Sequence, residues 1–116
     1  MLERYELVPF CPEVEGGLPT PRHPSERIGE RVKMDNGKDV TFNYNRGADL
    51  AMNICLHLGI KVAILKENSP SCGVHNVYDG TFSKKLKRGE GVTSEKLRKK
   101  GIRVICENEI EDFLNE

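Results

Sequence analysis

The stretch from Lys66 to Gly73 constrains this chain most, because it interrupts regular structure directly after a short apolar run. Residues 62–65, Val-Ala-Ile-Leu, are typical of a buried parallel strand. Pro70 and Gly73 then prevent the strand from continuing, and two serines, an asparagine and a cysteine fall in the break. In an open α/β sheet, ligands bind in the loops that follow the carboxyl ends of strands. The sequence therefore predicts a functional site in this loop.

A second loop of the same kind lies near the start of the chain. Residues 5–10 are predicted to form a strand, and Cys11 follows it directly. Residues 12–25 hold four prolines and two glycines, which predicts a rigid, irregular loop that is either functional or a plain covering loop. If the two strands are parallel neighbours, Cys11 and Cys72 converge at one edge of the sheet.

The other elements are predicted from periodicity and turn residues. Residues 30–42 predict a hairpin about Asn36–Gly37, the usual type I′ pair. An apolar face at helical spacing runs from Tyr44 to Leu58, and Gly59 ends that helix. The sequence thus predicts an α/β fold over residues 1–116 as one domain, with a mainly parallel sheet and an added β-hairpin. Its remaining elements are a tight turn at 77–82, a basic mobile loop at 83–91, a helix from an N-capping Thr93 to Gly101, a strand at 102–106 and a helix at 109–115.

Composition and charge exclude several classes of protein. The 116 residues suffice for one domain with a core, and the net charge is zero with interspersed signs, which argues against a dedicated nucleic-acid or membrane surface. The basic run at 83–91 is either solvated or a weak phosphate or RNA contact. No apolar run approaches the ~20 residues of a membrane span, and the charged N-terminus lacks the apolar region of a signal peptide. We therefore expect a cytoplasmic protein whose cysteines are reduced.

The four cysteines are candidates for metal binding, packing or catalysis. Soft thiolates select zinc, copper(I) or iron–sulfur clusters, and both Cys11 and Cys72 follow apolar strands in proline-containing loops. Two thiolates are too few for a closed zinc site or a four-thiolate cluster. A third ligand would be Cys106, Cys55 or a histidine, of which His75 is nearest. Cys55 lies on a helical apolar face and is expected to pack in the core, and Cys106 either reaches the same sheet edge or packs.

Other polar residues of the two loops could perform chemistry, although each could equally stabilise its loop. A carboxylate beside a metal can act as a general acid or base, and hydroxyl groups can bind a substrate. The candidates are Glu13 as acid or base, Ser69 and Ser71 as catalytic hydrogen-bond donors, and Arg22, Lys66 and Asn68 as substrate- or anion-binding residues.

Four motifs occur in order over about residues 6–107. They are Cys-Pro-Glu-Val-x-Gly-Gly-Leu-Pro-Thr-Pro-Arg (11–22), Leu-Lys-Glu-x-Ser-Pro-Ser-Cys-Gly (65–73), Tyr-Asp-Gly-Thr-Phe (78–82) and Gly-x-Gly-Val-Thr (89–93). Together they resemble the DUF523 family, which includes the thiouracil desulfidases. The resemblance implies a small Rossmann-like three-layer domain and a [4Fe–4S] cluster held by three cysteines.

The resemblance also implies an activity and site residues. The fourth iron of the cluster would be left open for the sulfur of a thiolated pyrimidine such as 2- or 4-thiouracil, and water oxygen would replace that sulfur without net redox change. By motif, Cys11 and Cys72 would be cluster ligands, Glu13 would handle the proton of the water or the ring, and Ser69 would assist the substrate.

The chain departs from the family pattern at its N-terminus. Met1 lies just before the family's second motif, so the segment that carries the usual third cysteine is missing. The alternatives are a truncated start, a ligand from a partner or second copy, and replacement by Cys106 or another group or loss of the cluster. An unpaired sheet edge favours pairing with another chain, so we expect a homo-oligomer. The other hypothesis is a cluster-less module, or an incomplete subunit, that binds a nucleobase or an anion.

Overall fold

The computed structural model describes residues 10–18, 20 and 23–116. A 3₁₀ turn, Glu107–Glu109, links the last strand to the last helix. The helices are α1 (Pro12–Glu15), α2 (Thr41–Leu58), α3 (Val92–Lys99) and α4 (Ile110–Leu114). The strands are β1 (Ser25–Ile28), β2 (Arg31–Met34), β3 (Val62–Leu65), β4 (Asn76–Tyr78), β5 (Leu86–Arg88) and β6 (Arg103–Cys106).

The strands of the described residues pair two by two. β1 with β2 and β4 with β5 are antiparallel, whereas β3 and β6 are parallel, in register from Val62 opposite Arg103 to Leu65 opposite Cys106. The predicted parallel pairing of these two strands is confirmed, and their carboxyl ends lie side by side. A mainly parallel sheet is not what the described residues show, since two of the three pairs are antiparallel. The strand predicted at 5–10 lies, except for Phe10, outside the described residues.

Helix α2 follows the predicted apolar face. Tyr44, Ala48, Ala51 and Cys55 are buried along it. Gly59 ends the helix at φ +68°, a left-handed conformation that glycine adopts without steric cost. Cys55 packs among apolar residues, so its prediction as a core residue is confirmed. The two clusters of buried core residues are Leu18, Val32, Met34, Val40, Tyr44, Ala48 and Val92, and Cys55, Leu97 and Ile102.

The predicted hairpin at 30–42 is confirmed only in part. β2 pairs along its length with the preceding β1. The segment predicted as the return strand makes one antiparallel bridge to β2, between Lys33 and Asp39, and then enters α2. The turn at Asn36–Gly37 exists, but only its glycine has a positive φ, so it is not type I′. β1 was not predicted because it is polar. Glu26 is nevertheless buried in this strand, and the Glu26 carboxylate accepts the backbone N–H groups of Gly80 and Phe82 at 2.9 and 3.1 Å.

The C-terminal half differs from the prediction at two places. The basic segment 83–91, expected to be a loop, contains β5, whose residues are all exposed. α3 begins at Val92 after Gly91, and Thr93 is buried inside it rather than serving as its N-cap. The final helix is confirmed, as α4. Within residues 10–18, 20 and 23–116, no helix combines the length and apolar character that crossing a bilayer requires.

Candidate active site

Helix α1 carries Cys11 and Glu13 and lies directly against α2. Cys11 is the N-cap residue, with an extended backbone at φ −115°, and Pro12 begins the helix at a position that needs no N–H donor. Two glycines permit the close approach. A Cβ on Gly47 would lie 1.9 Å from the carbonyl oxygen of Pro12, and a Cβ on Gly16 would lie 2.1 Å from a backbone oxygen of α2. The position of α1 therefore depends on the lack of side chains at these two residues.

The loop between β3 and β4, residues 66–75, docks on the first turn of α3. Val92 and Thr93 donate their backbone N–H groups to two carbonyl oxygens of the loop at 2.8 Å each. The Ser94 hydroxyl donates to the carbonyl oxygen of Cys72 at 2.9 Å. The first N–H groups of a helix have no acceptor inside the helix, so carbonyl oxygens of the loop serve as acceptors for those of α3. In return, α3 fixes the backbone that carries Cys72.

Glu67 holds the other half of this loop. Its Oε1 accepts the backbone N–H groups of Val74, His75 and Asn76 at 2.7, 2.9 and 3.0 Å. Burial by itself would raise the pKa of this carboxyl, but the backbone N–H groups outweigh it and hold the pKa of Glu67 below its usual range. The ionised carboxylate of Glu67 thus accepts backbone N–H groups that in a sheet would be paired with the carbonyl oxygens of a neighbouring strand.

The two loops meet at Glu13 and Ser69. The Ser69 hydroxyl donates to Oε1 of Glu13 at 3.2 Å. The same hydroxyl oxygen accepts the backbone N–H groups of Ser71 and Cys72 at 3.1 and 3.3 Å. One serine therefore links the carboxylate of α1 to the backbone amides of Ser71 and Cys72. The predicted convergence of the two loops is confirmed, whereas the roles of their residues stay predictions.

The thiol of Cys72 lies in this junction, beside two other groups that carry or can carry negative charge. Burial raises the pKa of Cys72 to about 11; a hydrogen bond with the Ser71 hydroxyl lowers it, and the charges of Glu13 and Cys11 raise it. Cys11 and Glu13 are thus within electrostatic reach of Cys72. At neutral pH the thiol is protonated unless a positive charge is present, and a coordinated metal deprotonates a thiol outright. A thiophilic cation is therefore the partner that this donor set suits.

Ser71 does not face this junction with a free hydroxyl. It is completely buried, and its Oγ lies 2.7 Å from Oγ1 of Thr93. Its hydroxyl pairs with α3 beside Cys72, and the expected contact of Ser71 with a substrate stays a prediction.

The three residues expected to bind substrate or anion have different surroundings. Lys66 is exposed at the start of the loop. Asn68 is half-buried and has a left-handed backbone at φ +73°, with its main chain bridged to Val77. Its position is thus explained by the loop conformation, since asparagine tolerates positive φ. Arg22 lies outside the described residues.

Cys106 belongs to a different group of side chains. Its Sγ, a carboxylate oxygen of Glu67 and a ring nitrogen of His75 all lie within 4.8 Å of one another. The groups that shift the pKa of Cys106 upward are its own burial and the carboxylates of Glu109 and Glu67, and neither Cys11 nor Cys72 is among them. Cys106 therefore has a separate neighbourhood, and its predicted use as a third ligand beside Cys11 and Cys72 has no support in the described residues.

The fold and the site together define a small α/β protein with a thiol, carboxylate and hydroxyl site in the loop that follows a parallel strand. A model of the 2-thiouracil desulfurase family matches residues 1–109, and the chain belongs to this family. It is 40% identical, over 124 aligned positions, to the uncharacterized protein YbbK of Bacillus subtilis (strain 168), covering 98% of this chain and 82% of that protein. The solved structure of the [4Fe-4S]-dependent thiouracil desulfidase TudS superimposes with a TM-score of 0.90 at 50% identity, covering 91% of this chain and 70% of that one.

Proposed function

We propose that this chain is a desulfidase that replaces the sulfur of a thiolated pyrimidine, of the 2- or 4-thiouracil type, with oxygen from water. The observation that carries the proposal is the hydrogen bond between Ser69 and Glu13, which joins the Cys11 and Cys72 loops around one carboxylate. The family of the chain and its likeness to a [4Fe-4S]-dependent thiouracil desulfidase support it. The finer expectation of a Rossmann-like domain is part of the same proposal, since ligands bind at the loops after parallel strands in such folds.

The chemical type of these donors, two cysteine sulfurs, fits an iron–sulfur cluster. Cys11 and Cys72 would hold it, because their soft sulfurs suit iron and, among the described residues that shift the pKa of the half-buried Cys72 thiol, none is positively charged. When bound, the cluster supplies an iron without a cysteine ligand, which is a Lewis acid with affinity for sulfur. The described residues bring two cysteines to this junction, so we propose that a further ligand comes from elsewhere, a second copy of the chain included.

Glu13 would move the proton in this reaction. Water adds to the ring carbon that bears sulfur, the carbon–sulfur bond breaks, and the products are the oxo-pyrimidine and hydrogen sulfide, so no oxidant or reductant is consumed. Glu13 is half-buried and its Oε1 accepts the Ser69 hydroxyl. Its carboxylate can take a proton from the attacking water and return it to the departing sulfur or to a ring nitrogen. Ser69 holds the carboxylate in place and can donate to the substrate.

A second function, a binding module without a cluster, is favoured by one observation. Of the four cysteines, only Cys11 and Cys72 come together within the described residues. A chain with two ligands could keep the nucleobase-binding loops and have no activity by itself.

Anaerobic reconstitution with iron and sulfide separates these functions. We expect about four irons per chain with a charge-transfer band in the visible, and release of sulfide from 2- or 4-thiouracil. Cys11→Ala and Cys72→Ala should each lose the iron, whereas Cys55→Ser, a change in the core, should keep it. Equal iron content in wild type and Cys72→Ala would refute the ligand assignment. A well-folded wild type without iron would support the binding module, and its mass in solution would show whether a second copy is present.

A further inference from the structure

We propose that Glu67, His75 and Cys106 form a second metal site, separate from the Cys11–Cys72 junction, that takes a single zinc-like divalent cation. The three ligand atoms lie within 4.8 Å of one another. A thiolate, an imidazole and a carboxylate are the donors that zinc binds in proteins, usually in tetrahedral arrangements. The site does not depend on the proposed desulfidase function.

The fold brings these residues to one place by its strand register. Cys106 is the last residue of β6 and lies opposite Leu65, the last residue of β3. Glu67 follows β3 by two residues, and the loop then returns so that His75 precedes β4. The three ligands thus come from the carboxyl edge of the parallel pair and the end of one loop. Backbone hydrogen bonds hold this edge, so binding would not require the chain to rearrange.

Each ligand is already oriented by a neighbouring group. The contacts of Glu67 with the loop N–H groups fall on Oε1, which leaves Oε2 for a cation. Nε2 of His75 lies 3.2 Å from Oε1 of Glu109, so a carboxylate orients the ring. A carboxylate behind a ligating histidine is the usual support of protein zinc sites. Cys106 caps the 3₁₀ turn, where its sulfur accepts a backbone N–H that orients it.

The charge around the site also suits a cation. The carboxylate of Glu107 accepts the backbone N–H of Glu67 at 3.0 and 3.3 Å, and Glu109 accepts that of Cys106 at 2.9 Å. Two carboxylates, Glu67 and Glu109, therefore lie near the Cys106 thiol, and a third, Glu107, contacts the backbone of Glu67. Among the ion pairs of the described residues, none includes Glu67 or Glu107. A divalent ion would relieve this concentration of negative charge.

An ion could reach the site from solvent. The side chain of His75 is 53% exposed, and it lines an open cleft of about 520 Å³. Three arginines line the same cleft. Two of them are paired with carboxylates, Arg98 with Glu90 and Arg103 with Glu116, so their charge is largely compensated on the approach to His75, and Arg88 is the third.

Cobalt(II) titration of the full chain without a cluster tests the proposal, because cobalt reports its ligands by absorption. In a Cys11→Ser/Cys72→Ser variant we expect one equivalent of cobalt with a thiolate-to-metal band in the near ultraviolet, displaced by zinc. Adding Cys106→Ser should remove the band. His75→Ala should weaken binding at least about tenfold and change the visible bands, and Cys55→Ser should change neither.

A second measurement keeps the test valid if the double serine variant does not fold. Wild type and the exposed-site variant His75→Ala are titrated with zinc against a chromophoric chelator, and their iron content after reconstitution is measured in parallel. We expect His75→Ala to lose the zinc affinity and keep the iron of wild type. A thiolate band that survives Cys106→Ser, or zinc affinity unchanged by His75→Ala, would overturn the second site without touching the proposed desulfidase.

Discussion

The two halves of the loop at 66–75 are held in different ways. The half around Ser69 and Cys72 depends on side chains and backbone from distant segments, since Glu13 is 56 residues from Ser69 and Ser94 is 22 residues from Cys72. The half after it is held by Glu67 through N–H groups only seven to nine residues away. The proposed chemistry thus lies where several elements meet. Local rigidity is supplied by one carboxylate close in sequence. Substitutions at the distant contact should consequently change activity, whereas substitution of Glu67 should change stability.

The largest effect is expected at the distant contact. Glu13→Gln should lower desulfidation at least about 100-fold, because the amide cannot transfer the proton. Iron content and thermal stability should stay at wild-type values, since Gln can still accept the Ser69 hydroxyl. Turnover with thiouracil and iron analysis on the same samples measure both.

Glu15→Gln is the matched control, because Glu15 is an exposed carboxylate on the same short helix. It should leave turnover and iron unchanged. Turnover of Glu13→Gln equal to that of Glu15→Gln would contradict the role of Glu13 in proton transfer.

The local half should respond in stability and in its pH dependence. The pKa of Glu67 is lowered in the fold from its usual 4.5, so its stabilisation is present above that pH and is lost as pH falls through the lowered value. Glu67→Gln should therefore cost about 1 kcal/mol near neutral pH, as charge-assisted hydrogen bonds become neutral ones. The cost should shrink in acid, where the wild-type carboxyl is protonated.

Urea unfolding at several pH values, with a chelator present to exclude metals, measures the difference between wild type and Glu67→Gln. Other acids with lowered pKa values, such as Asp39 and Asp79, affect both proteins alike and cancel in this difference. Glu111→Gln, at an exposed carboxyl of α4, is the control and should give a difference near zero at every pH. A cost for Glu67→Gln that is constant with pH would show that its charge does not hold the loop.

The elements that could be predicted from the sequence depend on local contacts, and those that could not depend on distant ones. The apolar face ending at Gly59 and the strand before the Cys72 loop were predictable because periodicity is local. The strand around Glu26 was not, since its burial is satisfied by a turn more than fifty residues away. In the site, motifs pointed to Cys11, Glu13 and Ser69.

The supporting residues of the site were missed for a physical reason. Gly47 matters because another helix approaches it, and Thr93 matters because a buried serine lies opposite it. Neither contact leaves a pattern along the chain. Glu67 did leave such a pattern, because an acidic residue soon after a strand can accept the unpaired N–H groups of the loop that follows.

The last test, and the sharpest, is at the contact of Ser71 with Thr93. Ser71→Ala or Thr93→Val should each cost about 1–3 kcal/mol in unfolding free energy, because each leaves a buried hydroxyl without its partner. The double substitution should cost clearly less than the sum, since it removes both hydroxyls together. The exposed pair Thr81 and Ser83 offers a matched cycle with Thr81→Val and Ser83→Ala, which should show no such coupling. Additive costs at Ser71 and Thr93 would mean that α3 holds the loop through its backbone N–H groups and Ser94, without a contribution from this hydroxyl pair. Coupling there would mean that the hydroxyl pair also fixes the backbone next to Cys72.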